Sequence, residues 1–384
     1  MVVGPSADAR AHRNEAERRA VHRFWTAIEP ARLSQMGGPG SPPRPGRPCY
    51  EGRSMSLTEH LSELVGKPVA AFDGRAPFDL RAKVPRLSID WDSHVDGLGM
   101  SDLVGELLRR PDVASVEGLV FGVWDFISAA DASAIVAPLC AAKDRLPALR
   151  AIFLGDILES EQELAWIKQG DVAPLFAAFP KLTELRVRGS AGLRLAPPGD
   201  VVRHSTLTSL VVESAGLSRE LVAAVVGGDM PALRHLELWL GSEQDGGTSS
   251  IDDLAPLLEG RAFPALESLA LKGSETADAL AAAVASAPIL ARLKKLDLSL
   301  GTLSDEGAEP LLASEAVRRL HDLDLRKSFL SPEIIKRFHA LTPVIVDVRG
   351  SRFGKEEGDR RPSTAPARNV SVDLPLARLK ARRA

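Results

Sequence analysis

The sequence of 384 residues is poor in cysteine, which would cross-link the chain, and in long apolar runs, which would anchor it in a membrane. Its two cysteines are Cys49, in a proline-rich segment, and Cys140, in an apolar helical pattern; they predict neither a disulfide framework nor a metal site and favour a cytoplasmic location. No apolar run approaches the ~20 residues that a membrane-spanning helix needs. The charged segment 11–25 is unlike the apolar core of a signal peptide. We therefore expect no membrane association.

A large charge of one sign is also missing, since the net charge is only −3. The distribution is uneven: residues 1–54 sum to +4 and residues 351–384 to +5, which leaves −12 for residues 55–350. Nucleic-acid binding needs a basic surface, which an acidic body does not provide. We expect no nucleic-acid partner, whereas basic or mixed-charge protein partners fit this charge.

Motifs that carry chemistry are absent as well. The sequence contains no G-x-x-x-x-G-K-[ST] phosphate loop, no G-x-S-x-G and no H-E-x-x-H, and its eight histidines are scattered. The acidic cluster Asp156, Glu159, Glu161 and Glu163 lacks the spacing of a Ca²⁺ loop and is interpreted as a solvated helix start. We expect no catalytic residue, no metal and no cofactor.

The two ends differ in composition from the middle. The segment 36–53 is dense in proline and glycine, which do not form a packed element. Residues 1–54 are predicted to be a disordered extension, or a mis-annotated one if translation starts at Met55. Residues 55–83 are predicted to be an N-terminal cap region, residues 84–350 a repeat domain and residues 351–384 a disordered basic tail.

The middle of the chain carries an internal repeat, in which apolar residues recur in the frame L-x-x-L-x-L. The frames start at Val84, Val116, Leu149, Leu182, Leu207, Leu233, Leu266, Leu293, Leu320 and Leu341, of which the second and the last are weaker copies and the first is weaker still. Side chains alternate across a strand, so each frame predicts a short strand with its apolar residues facing inward. Successive starts lie 21–33 residues apart, which leaves room for a helix and a return.

Helix-start signals follow several of the strands. Ser304 precedes acidic residues and an apolar helical pattern, Ser331 precedes Pro332, and Ser218 precedes an apolar pattern that stops at Gly227. Strand, helix and return of nearly constant length predict an α/β solenoid, in which each unit buries its apolar face against its neighbours.

Residues 293–312, LKKLDLSLGTLSDEGAEPLL, resemble the ribonuclease-inhibitor-like subtype of the leucine-rich repeat family, and the segments from Phe153 and Leu185 resemble a poorly characterised bacterial branch of it. The resemblance covers residues 84–350 and implies a curved horseshoe, with a parallel sheet on the concave side and helices on the convex side. The family's usual Asn or Cys after each strand is replaced here by Ile157, Ser190, Ala215, Gly241, Ser274, Gly301 and Ser328. We expect small residues at these positions to let neighbouring turns pack closely.

The outward positions of the strands, two, four and six residues after each frame start, predict a binding surface on the concave side. The candidate binding residues there are Arg186, Arg188, His235, Glu237, Trp239, Lys272, Lys295, Asp297, Asp324 and Arg326. Trp239 is predicted to be an exposed apolar anchor, and the arginines to grip carboxylates of a partner. Two alternatives are that the loop from Gly241 folds over Trp239, and that Glu237, Asp297 and Asp324 already pair with those arginines.

These patterns favour a non-enzymatic, monomeric scaffold that binds a protein through its concave face. One alternative is a structural or regulatory subunit that acts by assembling with an enzyme, and another is an enzyme with dispersed catalytic residues. Trp166, in an acidic insertion, is interpreted as a cover for the edge of the core, with a role in recognition as the alternative.

Overall fold

The computed structural model describes residues 58–126, 130–352 and 362. The predictions for residues 1–54 and for nearly all of the C-terminal tail lie outside the described residues. Residues 58–94 and 98–352 belong to one compact unit.

Within the described residues, the strands form one sheet in which each strand pairs with the next along the chain. The twelve strands are β1 (Glu63–Leu64), β2 (Lys67–Ala71), β3 (Val84–Leu87), β4 (Gly118–Phe121), β5 (Ala151–Leu154), β6 (Glu184–Arg188), β7 (Ser209–Glu213), β8 (His235–Trp239), β9 (Ser268–Lys272), β10 (Lys295–Asp297), β11 (Asp322–Asp324) and β12 (Ile345–Asp347). All neighbouring pairs are parallel except β1 and β2. This order fits a repeat solenoid.

The register confirms the eight frames that start between Val116 and Leu320. The fourth residue of each frame lies beside the fourth residue of the next, as Leu185 lies beside Leu210. These inward residues are buried between the sheet and the helices. The pattern of apolar residues therefore predicts both the strands and the face that each strand buries.

The two end frames were placed wrongly by the sequence pattern. The pairing of β3 with β4 moves the first frame start two residues earlier than Val84. At the other end, Val346 lies beside the fourth residue of the preceding frame, which moves the last start from Leu341 to Pro343. Apolar residues alternate at both ends, and a shift of two residues keeps Leu87 and Val346 on the inward face but turns Val84 outward, so the pattern alone does not fix the register.

Helices follow most of the strands. They are α1 (Trp91–Val95), α2 (Met100–Arg109), α3 (Ser133–Ala141), α4 (Pro174–Ala178), α5 (Arg219–Val226), α6 (Ala255–Leu258), α7 (Ala277–Ala285), α8 (Asp305–Ala313) and α9 (Pro332–His339). Ser218, Ser304 and Ser331 cap α5, α8 and α9 as predicted, since each side chain accepts a first-turn N–H at 3.2–3.3 Å. Among the described residues, none of these helices has the length and apolar character to span a bilayer.

The expectation that a helix follows every strand is wrong between β6 and β7. Residues 189–208 contain only isolated bridges, such as those of Ala191 with Lys168 and of Arg194 with Asp171. This segment contains Pro197 and glycines with positive φ. Proline lacks the N–H that a helix interior needs, so no helix forms here.

The turns after the strands pack as closely as predicted. Gly241 has φ +74°, and a Cβ atom added there would lie only 1.7 Å from the carbonyl oxygen of Ala215 in the preceding turn. Ser190 bridges two turns, because its hydroxyl accepts the Ala215 N–H at 2.9 Å. Small residues thus allow direct contact between neighbouring turns.

Candidate functional site

The surface on which binding was predicted is the outward face of the sheet, formed by the third, fifth and seventh residues of each frame. Parallel pairing arranges these residues in rows, in which neighbours lie about 4.8 Å apart. The row of seventh residues includes Arg188 beside Glu213, and Trp239 beside Lys272. Exposure along the rows divides the outward face into an N-terminal part, a central part and a C-terminal part.

The N-terminal part is covered by the chain itself. Four of its outward residues are apolar and buried, namely Val84, Val120, Ala151 and Phe153. Leu64 of β1 packs on them, together with Leu61, Val65 and Val69. This part of the face is closed to a partner.

An ion-pair network holds the covering segment in place. Asp156 accepts the Leu61 N–H at 3.1 Å and Nε of Arg86 at 2.7 Å, and Nδ1 of His60 lies 3.3 Å from the same carboxylate. The interpretation of the acidic cluster as a solvated helix start is therefore wrong for Asp156, which is fully buried. The described residues contain no cluster of His, Cys, Asp or Glu that could hold a metal ion.

The central part contradicts the predicted exposure of three candidate residues. Trp239 is 1% exposed, and Arg188 and Lys272 are fully buried. Nε1 of Trp239 donates to Glu237 at 2.5 Å, and Nζ of Lys272 lies 5.0 Å from the centre of the indole ring. Strand alternation correctly places these side chains on the outward face, but bulky neighbours in one row bury one another there.

Two arginines and Glu213 complete the central part. The Arg188 Nε–H donates to the Glu213 carboxylate, and Nε of Arg186 donates to its other oxygen at 3.1 Å. Both guanidinium groups also lie over the ring of Phe153, at 5.2 and 5.4 Å from its centre. We call the whole set the buried charge cluster; its members are Arg186, Arg188, Glu213, Glu237, Trp239, Lys272 and Asp297.

Burial and neighbouring charges act in opposite directions on the pKa values of the ionisable groups in the buried charge cluster. Burial raises the pKa of Glu237, but the Lys272 ammonium at 3.2 Å, with help from His235 and Arg186, outweighs it and holds that pKa well below its usual range. Burial opposes the charge of Lys272, yet Asp297 and Glu237 raise the pKa of this lysine. Burial also raises the pKa of Asp297, against the effect of Lys272. Glu237 and Asp297 are therefore paired with Lys272 and not with the arginines that the alternative named, whereas Asp324 does pair with Arg326.

The C-terminal part, which we call the open part, comprises the outward residues of β10–β12 other than Asp297, with Arg326 and Arg349 at their ends. Ile345 is 56% exposed and the Arg349 side chain 79% exposed. The carboxylates of Asp324 and Asp347 lie beside each other on neighbouring strands, and each accepts the N–H two residues further on at 3.0–3.1 Å. Positive and negative side chains are thus partly exposed on one sheet surface.

The ten predicted binding residues do not form one surface. Arg186, Arg188, Glu237, Trp239 and Lys272 belong to the buried charge cluster, with Asp297 at its edge. Lys295, Asp324 and Arg326 lie in the open part, and half-buried His235 lies on β8 with Nδ1 2.9 Å from the Ser268 hydroxyl.

The structure adds residues that the sequence pattern missed. The outward residues of β12, Ile345 and Asp347, and the following Arg349 were missed because the last frame had been started two residues too early. Glu213 was recognised as outward but not as a partner of two arginines. Residues 324–326 and 347–349 share the sequence D-x-R. Aligning the last frame on this shared sequence would have identified Ile345, Asp347 and Arg349 as outward residues.

Trp166 does not cover the core, contrary to its preferred interpretation, because it is 55% exposed. It ends a short 3₁₀ helix whose buried residue is Leu164, while the following Ile167 is 1% exposed.

Trp166→Ala should change the free energy of unfolding by less than about 0.5 kcal/mol. The matched change Ile167→Val removes one methyl group and should cost about 0.5–1.5 kcal/mol. Thermal unfolding of both variants compares the two, and a larger cost for Trp166→Ala would show that the indole packs on the core.

The fold is similar to the crystal structure of a protein from the bacterium Bacteroides fragilis. The TM-score is 0.66 and the sequence identity 26%, and the match covers 73% of this chain and 76% of the other. No protein-family model matches the sequence, and no curated protein matches it either.

Proposed function

We propose that the protein is a non-enzymatic binding scaffold whose protein partner docks on the open part. The observation that carries this proposal is the exposed apolar side chain of Ile345 among partly exposed charges of both signs, all held on neighbouring strands of one sheet. A preformed sheet surface loses little conformational freedom when it binds. Mixed charges around an apolar contact suit a protein partner with a complementary charge pattern.

The burial of the central part supports this location. A partner does not reach Trp239 or Arg188 without unfolding the face, so the anchor proposed from the sequence is replaced by Ile345. Lys295, Asp324 and Arg326 keep their proposed role in binding, since their side chains are 36%, 20% and 24% exposed. Cations and carboxylates there are already paired, which favours modest affinity and selectivity through charge.

We also propose membership of the leucine-rich repeat family, in its ribonuclease-inhibitor-like subtype, with the horseshoe shape that this implies. The eight frames in register, the serine-capped helices and the parallel sheet support it. The cytoplasmic location and the monomeric state stay predictions.

The proposal is tested by exchanging the two members of an ion pair. Lys295 and Asp322 pair at 3.0 Å in the open part, and the double change Lys295→Asp with Asp322→Lys keeps a pair but reverses the charges that a partner meets. The matched control exchanges Glu309 and Arg337, an exposed pair between α8 and α9. Each exchange should change the free energy of unfolding by less than about 1 kcal/mol.

Binding is measured by capture from a lysate of the native host, followed by titration of the purified partner. The exchange in the open part should weaken binding by about 2 kcal/mol or more, a hot-spot effect, and the control exchange should not. Equal binding by both double variants would contradict the open part as the docking surface. A partner that is an enzyme whose activity changes on binding would instead favour the regulatory-subunit alternative.

A further inference from the structure

Four positive side chains lie together where strands β11 and β12 end. They are Arg326 and Lys327 after β11, and Arg349 and Arg352 after β12, and we call them the basic edge. The Lys327 N–H donates to the carbonyl of Arg349 at 2.9 Å, and the Arg352 guanidinium donates to the carbonyl of Lys327 at 2.7 Å. The basic edge therefore joins two neighbouring repeats and borders the open part.

The two repeats hold their arginines in the same way. In each D-x-R sequence the aspartate accepts hydrogen bonds from Nε of the arginine at 2.8–3.1 Å and from Nη2 at 2.5–2.6 Å. The pairing of Asp324 with Asp347 in the sheet places Arg326 beside Arg349, on strands about 4.8 Å apart. Nε of Arg326 also lies 3.5 Å from the Asp347 carboxylate. The two guanidinium groups are thus fixed side by side on one surface.

This arrangement leaves hydrogen-bond donors for a ligand. A guanidinium group carries five N–H donors in a planar fork. Both aspartates are bound through Nε and Nη2, and within the described chain no contact uses Nη1 of Arg326 or of Arg349. Arg349 is largely exposed and Arg326 partly exposed, so an anion can reach both groups from solvent.

The basic edge also carries a surplus of positive charge. Its four cations are accompanied by two carboxylates, those of Asp324 and Asp347, and among the described residues neither Lys327 nor Arg352 forms an ion pair. Arg352 is half-buried, with its guanidinium carbon 4.2 Å from the centre of the Phe329 ring, and burial lowers its pKa. An anion nearby would stabilise the charged form of such a group.

We propose that the basic edge binds an acidic segment of the protein partner, with one carboxylate between the guanidinium groups of Arg326 and Arg349 and a second beside Lys327. Arginine holds a carboxylate through two parallel hydrogen bonds, and side chains that are already fixed lose little freedom on binding. This inference rests on the proposed function, because it takes the partner to be a protein that docks on the open part. It adds the chemistry that the partner presents at one end of that surface.

The charges around the two arginines favour carboxylates over phosphate. Asp324 and Asp347 lie beside these arginines, and a like charge at so short a distance opposes the binding of any anion. A phosphate group carries a charge of about −1.5 to −2, whereas each carboxylate carries a single charge and meets less of this repulsion.

The test is titration of the purified full chain with fluorescently labelled hexaglutamate at low ionic strength, where exposed charges are least screened. Arg349→Gln alters an exposed side chain and should weaken binding about threefold or more. Changing Arg326 and Arg349 together to Gln should weaken it at least about tenfold. The matched control is Arg337→Gln, because Arg337 is an exposed arginine of α9 that pairs with both carboxylate oxygens of Glu309. It should leave the affinity within about twofold, and thermal unfolding of each variant checks that the sheet remains folded.

The inference would be overturned if hexaglutamate did not bind the unmodified chain, or if Arg349→Gln and Arg337→Gln weakened its binding equally. Tighter binding of a phosphoserine hexapeptide than of hexaglutamate would overturn the choice of carboxylates and assign the edge to phosphorylated partners.

Failure of the proposed function gives a different result. If hexaglutamate binding depended on Arg349 but capture of the native partner ignored the exchange of Lys295 and Asp322, the basic edge would be retained and docking on the open part rejected. The reverse pattern would remove only the basic edge.

Discussion

Glu213→Gln is expected to destabilise the protein by about 3–5 kcal/mol, because it leaves buried guanidinium groups without their counter-charge. Glu213 and Arg188 are both fully buried, and Arg186 shares the same carboxylate. Glutamine keeps the shape of the side chain, so the loss reports the charge and not a cavity. Denaturant unfolding at neutral pH measures it.

Glu184→Gln is the matched control for this change. Glu184 lies on the same outward face, in β6, but is half-buried, and the loss of its charge should cost less than about 0.5 kcal/mol. Adding Arg188→Met to Glu213→Gln should recover part of the stability, since an apolar side chain of similar length replaces the uncompensated charge. Equal costs for the two glutamine variants would show that water reaches Glu213 in solution.

Gly241→Ala is expected to cost about 3–5 kcal/mol, from a strained backbone together with a steric clash. The added Cβ would lie 1.7 Å from the Ala215 carbonyl oxygen, so two neighbouring turns must separate to admit it. Gly246 offers a control with a similar φ, +93°, and no atom within 4 Å of an added Cβ.

Gly246→Ala should therefore cost only the backbone strain, about 1–2 kcal/mol. The difference between the two melting curves isolates the effect of the close contact between the two turns. Equal costs for Gly241→Ala and Gly246→Ala would mean that the turns at Ala215 and Gly241 lie further apart in solution than in this structure.

The sequence predicts the strands and their buried face because alternation and helix capping are local properties. The serines that cap α5, α8 and α9 and the leucines of eight frames could all be found without knowledge of the fold. The register at the two ends could not be found, since a shift of two residues preserves the alternation of apolar residues.

The binding surface was harder to predict, because exposure depends on contacts between residues that are distant in sequence. Alternation gives the direction of Trp239 but not the presence of Lys272, 33 residues later, over its ring. The apolar residues that cover Phe153 come from the segment around Leu64, about ninety residues earlier. Only Lys295, Asp324 and Arg326 of the open part were anticipated by their residue type.

Carboxylate footprinting, with and without the purified partner, is the most direct test of the open part as the docking surface. Carbodiimide-driven labelling by glycine amide reports the exposure of each acidic side chain, and Glu213, which is fully buried, should stay unlabelled throughout. Partner binding should reduce the labelling of Asp322, Asp324 and Asp347 and leave Glu309 unchanged. Protection of Glu159 and Glu163 beside Trp166, with no change at the three aspartates, would contradict the open part and assign binding to the Trp166 insertion.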